Sequence, residues 1–524
     1  MRIQKKTILI LTIFIFITVL LVIFELRPYF PDPDSFYHAK MATVIRDQSF
    51  IKTFPWLSET VFNENYINHH LLYHIFLIPF VTFFDPLVGI KISAVVFGIL
   101  AFFALYKVLQ ALKSPFPEWL TLAAALSTSF IFRMSLPRAP SISLFFLLIG
   151  VWALLERKRW LIFFSSAAFV WLYNGWPLLL PVWAAILFGR TIGEYGLSKK
   201  TFLKSFFSTL RDETRIGLIL LAGLSWGLVT HPYFPENIIF SFLHILKIGF
   251  LNATNDIPVG SEWYPASLSD FIKYNLPAVA ALIFGFLTFF LAIVLEKAEK
   301  TKKIFEQSII MVTLAGAFVL MTMKSMRYYE YSIPFVVLAA GSLLSISRPF
   351  IQNELIPMFK EQFKKRYFKI SAIIILFVTI FGFAFGNYQN TKSGDGYFRA
   401  EQYQEGVNWI KNNVPANETV FHNIWDYSMI LWYLDSDHRY LVGLDPMFMY
   451  DKNPDRFRLW QGLASGTNTD VSKITSEFGA RVIVIDKRAK SNEDLMNNLR
   501  NSNLFNEVYS NEWINIFASL ELSL

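Results

Sequence analysis

The chain contains no cysteine. Disulfides, a thiolate nucleophile and any cysteine-bound metal are therefore excluded, and cysteine usage says nothing about redox compartment. Charge is also scarce. Asp, Glu, Lys and Arg make up 17% of 524 residues, whereas 54% are hydrophobic and 54 are Phe. A soluble domain carries about a quarter charged residues. Repeated apolar stretches near twenty residues instead indicate a polytopic membrane protein, with helical spans because lipid leaves no other partner for backbone polar groups. No internal repeat or low-complexity tract is present. No small-residue cleavage site follows the first apolar run, Thr7 to Phe24, so that run reads as a retained span. The net charge of +8 resides largely in loops beside the bilayer, and nucleic acid is not an expected partner.

Spans are expected near 7–25, 88–108, 117–132, 140–155, 160–173, 175–190, 215–231, 276–295, 307–323, 330–346 and 369–388, with about 11–13 in all. Basic residues recur in alternate loops: Lys107 and Lys113; Arg157, Lys158 and Arg159; Lys199, Lys200, Lys204, Arg211 and Arg215; Lys297, Lys300, Lys302 and Lys303; Lys360, Lys364, Lys365, Arg366 and Lys369. With an odd span count all of them share the cytoplasmic side with Arg2, Lys5 and Lys6. This predicts a membrane domain over 1–388 and an extracytoplasmic domain over 389–524. The latter is expected to be α/β, with a helix over Tyr403–Asn412 and a buried strand at Arg481–Asp486.

The candidate chemistry lies on the segments placed outside. The first holds Asp32-Pro-Asp34-Ser-Phe-Tyr-His38, then Asn68-His69-His70, and an interfacial apolar stretch from Leu71 to Phe84. His70 and His74 have the i, i+4 spacing of a helical metal pair, although buried histidines are more often structural. The second segment holds Arg133 and Arg138, the third Glu262, and Arg327 follows a later span. Each has an ordinary alternative: an Arg at a span end snorkels, and Glu262 beside Trp263 and Tyr264 suits an interface anchor. Trp425 to Tyr427 would equally serve as domain core. The sequons Asn252-Ala-Thr254 and Asn417-Glu-Thr419 match a pattern that also arises by chance.

Four stretches together resemble the catalytic subunit of oligosaccharyltransferases, and more widely the GT-C superfamily of membrane glycosyltransferases. Asp34-Ser-Phe-Tyr-His38 is similar to that family's first acidic motif. Ser261-Glu262 with Pro265 resembles its Ser-Val-Ser-Glu motif. Met326-Arg327-Tyr328 resembles the segment that faces the lipid-linked donor. Asn408-Trp409-Ile410 through Pro415, then Ile424-Trp425-Asp426-Tyr427-Ser428, resembles the soluble-domain start and its Trp-Trp-Asp-Tyr-Gly signature. The resemblance implies transfer of a sugar or oligosaccharide from a polyprenyl-(pyro)phosphate donor to a protein acceptor. Asp34, Glu262 and Arg327 would be catalytic. Asp34, Asp32, Glu262 and His70 would hold Mg²⁺ or Mn²⁺, with Arg138, Trp425, Asp426 and Tyr427 binding substrate. Three departures stand out: Ile424 in place of Trp, Ser428 in place of Gly, and a second segment offering Arg133 and Arg138 where the family has a second acidic motif. The alternatives are a GT-C enzyme moving a single sugar from a polyprenyl monophosphate to a lipid, glycan or hydroxyl acceptor, and a transporter or flippase. Against the transporter stands the lack of a discontinuous, Gly/Pro-broken helix pair in the sequence.

Overall fold

The computed structural model describes residues 2–197, 201–242, 257, 260–299, 301–392, 397–488 and 492–522. Lys199, Lys200, Val259, Lys300, the sequon Asn252–Thr254 and the Ser261 side chain lie outside the description. The chain forms two compact units. One comprises Met1–Leu26, Lys91–His231 and Ser261–Ser393. The other comprises Arg27–Ile90, Pro232–Gly260 and Gly394–Leu524.

The polytopic helical class expected from composition is the one observed. Among the described residues eight helices, fewer than the 11–13 expected, are long and apolar enough to cross a membrane: Gln4–Glu25, Pro86–Ala111, Trp176–Gly196, Phe202–Thr230, Leu276–Val294, Lys302–Lys324, Met326–Ile346 and Arg366–Gln389. Shorter apolar helices cover Leu71–Phe83 and Arg159–Leu172. The stretch 117–132 is two helices, Pro117–Ala125 and Thr128–Ser135, separated where Ser127 turns extended (φ −81°, ψ 114°). A second break is sharper. Thr128–Ser135 and Pro140–Leu155 meet at 107°. Pro137 forces the preceding Leu136 into an extended conformation (ψ 132°), and Pro140 restarts the helix at its first position. The proline-broken pair not anticipated from sequence is therefore present, and Arg133 and Arg138 flank its corner.

In the first unit Tyr329–Ile346 is the central helix; every one of its residues is buried. It packs between Leu276–Val294 and Lys302–Lys324. By contrast, no residue in the most apolar stretch of Arg366–Gln389 is buried, as suits a lipid-facing span. Helix Phe202–Thr230 meets Arg159–Leu172 through Gly223 and Gly227, four residues apart. A Cβ at either would come within 2.5 Å of the Phe163 carbonyl or 2.7 Å of the Ala167 carbonyl. Small residues at this spacing let helix backbones approach closely.

The second unit is built on a five-stranded sheet of order β2-β1-β3-β5-β4, with β1 Thr419–His422, β2 Arg439–Tyr440, β3 Ala480–Asp486, β4 Phe505–Ser510 and β5 Ile514–Ser519. β1 pairs in parallel with β2 and β3; β5 runs antiparallel to β3 and β4. Val482, Ile483, Val484 and Ile485 are all fully buried. This explains the unbroken β-branched run: both faces of the strand are covered. Each such side chain contributes about 1.5–3 kcal/mol on burial. The N-terminal part of this unit is tied in by backbone pairing. Ser58 N–H donates to the Tyr440 carbonyl (2.9 Å) and Tyr440 N–H to that of Trp56 (2.7 Å). Phe30 and Phe398 exchange two hydrogen bonds of 2.9 Å, and Arg456 grips Glu59 with bonds of 2.7 and 2.9 Å.

Candidate functional site

In the first unit the charged residues of three segments gather around the N-terminal end of the buried central helix. Glu262 sits in a single 3₁₀ turn, Ser261–Trp263. Ser325 Oγ donates to the Glu262 carbonyl (2.9 Å), and Met326 N–H donates to that of Tyr264 (2.8 Å). These bonds fix the turn against the 3₁₀ turn Met326–Tyr328, which carries Arg327. Arg133, from the broken helix, bridges two carboxylates. Its Nη1 donates to Glu262 Oε2 at 2.5 Å; its Nε and Nη2 donate to Glu330 Oε2 at 3.1 and 2.5 Å. Arg138 Nη1 lies 3.4 Å from Glu262 Oε2 and Arg327 Nη1 3.6 Å from Oε1. Tyr173 completes the group: its hydroxyl accepts from Arg327 Nε (3.0 Å) and Nη2 (2.6 Å) and donates to Glu330 Oε1 (3.4 Å). The Arg327 guanidinium also lies over the Trp263 ring, 4.7 Å from its centroid.

Three guanidinium groups thus face two carboxylates, an excess of one positive charge in a mostly buried setting. Burial pushes the Glu262 carboxyl up, but Arg138, Arg133 and Arg327 outweigh it and hold the group well below the usual carboxylate range. Such a cluster suits a phosphate, whose oxygens match the guanidinium fork. Glu262, Arg138 and Arg327 are brought together as the sequence suggested. Glu330 and Tyr173 were not anticipated. Glu330 had a legible signal: it is an acid in the first turn of an otherwise apolar helix, a setting that is costly without a partner.

The remaining candidates lie in the second unit. Asp34 opens helix Asp34–Gln48, where the helix dipole favours an acid, and its N–H donates to Asp32 Oδ1 at 2.8 Å. One turn on, His38 Nδ1 is 2.8 Å from His74 Nε2, and His74 Nδ1 is 2.9 Å from Asn68 Oδ1. Asn68 Oδ1 also accepts from the His70 N–H (3.2 Å). His70 packs ring against ring with His69 and His38, at 4.0 and 5.4 Å between centroids. No group of three or more His, Asp or Glu that could hold a metal ion forms among the described residues. Trp425, Asp426 and Tyr427 lie between β1 and helix Ser428–Leu434. The Tyr427 hydroxyl is held at 3.0 Å by both Asn423 Oδ1 and the Val484 carbonyl, and its ring stacks on Tyr403. Asp426 differs. Its Oδ1 is buried and finds no hydrogen-bond partner among the described residues. Burial raises its pKa to about 6, with Arg488 opposing and Asp486 and Asp32 adding to the rise.

The resident cation implied by the resemblance can be tested against these donors. Of its expected ligands, Glu262 is already engaged by three cations, a set that repels a divalent ion. In the set Asp34, Asp32, Glu262 and His70 that the resemblance gives the cation, Glu262 is the member surrounded by guanidinium groups. The residues present there do not fit a metal.

The fold is similar to that of several solved structures, all at low sequence identity. Among solved structures, the archaeal oligosaccharyltransferase AglB from Archaeoglobus fulgidus, in complex with an inhibitory peptide and a dolichol-phosphate, aligns over 99% of this chain and 75% of its own, at 12% identity and a TM-score of 0.61. ArnT from Cupriavidus metallidurans, bound to undecaprenyl phosphate, aligns over 99% of both chains at 13% identity and a TM-score of 0.58. The arabinofuranosyltransferase AftD from Mycobacteria aligns over 97% of this chain and 40% of its own, at 12% identity and a TM-score of 0.55. No family model matches the sequence, and no curated protein does either.

Proposed function

We propose that this protein is a membrane glycosyltransferase that takes a sugar or oligosaccharide from a polyprenyl-(pyro)phosphate donor and passes it to an acceptor, most readily a protein. The observation that carries the reading is the guanidinium cluster at the start of the buried central helix. Departure of a phosphate or pyrophosphate builds negative charge as the anomeric C–O bond breaks and the oxygen keeps the electron pair. Fixed cations in a water-poor site stabilise that charge more than water does. Arg327 and Arg138 engage the phosphate, and Arg133 sets their surroundings through Glu262 and Glu330. Asp34 takes the acceptor-activating role that the resemblance gives it. Trp425 and the unpartnered Asp426 Oδ1 hold the acceptor. Residues 389–524 lie outside the cytoplasmic membrane in this reading, which takes the bent pair Thr128–Ser135 and Pro140–Leu155 as one further span so that the count is odd.

The test supplies purified protein with undecaprenyl-pyrophosphate-linked glycan and matched peptides bearing Asn-X-Thr, Asn-X-Ser or Asn-X-Ala. Transfer to the first two supports a protein acceptor, and Asp34→Asn is expected to abolish transfer without lowering the melting midpoint. A second reading, transfer of one sugar to a lipid, draws support from the near-complete two-way alignment with the undecaprenyl-phosphate-bound structure. Transfer to lipid and to no peptide would establish it in place of the first.

A further inference from the structure

We infer that Glu262 is the resident counter-ion of an arginine-built anion site and not a metal ligand, so that Arg133, Arg138 and Arg327 do the work a divalent cation would otherwise do at that carboxylate. The inference rests on the donor class proposed above. Its first ground is occupancy. Glu262 Oε2 already receives Arg133 Nη1 at 2.5 Å and Arg138 Nη1 at 3.4 Å, and Oε1 faces Arg327 Nη1 at 3.6 Å. A hard cation takes six or more oxygen ligands at about 2.0–2.6 Å, waters among them, with one or two carboxylates facing it. Here the nearest polar groups besides Glu262 are guanidinium N–H donors, which offer no lone pair and repel the ion. The second acid cannot help: Glu330 is fully buried and bound by Arg133 and Tyr173.

The second ground is where the arginines come from. Arg133 and Arg138 stand on the segment where the resembling family has its second acidic motif. The same corner of the broken helix that would have delivered carboxylates to a cation delivers cations to Glu262. The positive charge is thus kept while its carrier changes from an ion to two side chains. In this arrangement Glu262 competes with the donor phosphate for the guanidinium groups, and an arriving phosphate replaces a carboxylate already seated there.

The experiment uses the full chain in detergent, with Mn²⁺ and undecaprenyl phosphate as probes. Mn²⁺ binding is counted by electron paramagnetic resonance in wild type and Glu262→Gln. Undecaprenyl phosphate affinity is measured in both proteins, in EDTA and in Mn²⁺. Equal Mn²⁺ binding by the two proteins is expected. Wild-type affinity for undecaprenyl phosphate should agree within about twofold between the two buffers, and Glu262→Gln should bind it on the order of tenfold tighter, because a competing charge is gone. Loss of a Mn²⁺ site in Glu262→Gln, or tenfold weaker lipid-phosphate binding by wild type in EDTA, would overturn the inference. Should Glu262→Gln fail to fold, the comparison of buffers on wild type decides alone. Should wild type bind undecaprenyl phosphate in neither buffer, the proposed donor class falls, and the Mn²⁺ comparison still decides the role of Glu262.

Discussion

Removing Arg133 should be far more damaging than removing it together with its partner. Glu330 is fully buried, and Arg133 supplies two of its hydrogen bonds. Arg133→Met takes away both of the guanidinium hydrogen bonds described for that carboxylate and leaves the 3.4 Å contact from Tyr173. Stranding one member of a buried ion pair costs about 3–5 kcal/mol. A single neutral hydrogen bond returns about 0.5–1.5 kcal/mol, too little to offset the loss. Glu262 keeps Arg138 and Arg327, so the damage centres on Glu330. Arg133→Met/Glu330→Met removes both charges and fills the space with flexible apolar side chains, a replacement that is often neutral for buried pairs. The cycle is read by thermal unfolding in detergent, following far-ultraviolet circular dichroism. Wild type and the double variant should melt close together, Glu330→Met lower, and Arg133→Met lowest. Arg133→Met melting with wild type, or the double variant melting below Arg133→Met, would refute the claim that Glu330 depends on Arg133.

The Asp426 carboxyl, raised to about 6 mainly by burial, is protonated more readily in the fold than in the unfolded chain. Its contribution to stability is therefore greatest below about pH 4 and declines as pH rises through about 6. Asp426→Asn should melt above wild type at pH 7.5, with the gap closing at pH 4; a gap independent of pH would remove burial as the cause. A reporter active only in the cytoplasm, fused after Leu524, should be silent; activity would reverse the side assigned to residues 389–524. Because Ile424 stands where the resembling family has Trp, an Asn-X-Thr peptide should be preferred over Asn-X-Ala only weakly. Loss of a contact with an apolar pocket is worth about 1–3 kcal/mol, so Ile424→Trp should widen the ratio, whereas strong Thr preference in wild type would show that Trp425 and Asp426 suffice.

What the sequence made legible follows from which forces act locally. Span helices are legible because lipid imposes apolar composition on each of them separately, and β3 is legible because burial on both faces leaves no polar alternation to disguise it. The corner at Pro137 and Pro140 was within reach of the same reasoning, since each proline acts on its immediate neighbour. What could not be read was partnership. Arg133 alone is a span-end arginine, Glu330 alone an oddly placed acid, and Tyr173 one of 22 tyrosines. Their meaning is set by hydrogen bonds reaching 129 to 197 residues along the chain, for which no periodicity exists. The pairing of Trp56 and Ser58 with Tyr440 is of the same kind. Glu262 shows how this matters for chemistry. A motif assigns it to a metal because carboxylates in that pattern have usually met one. We infer another role from the three guanidinium groups around it, because the energy of a carboxylate is fixed by the charges within a few ångströms. Two arginines in place of acids, visible in the sequence only as a departure, change the character of that whole site.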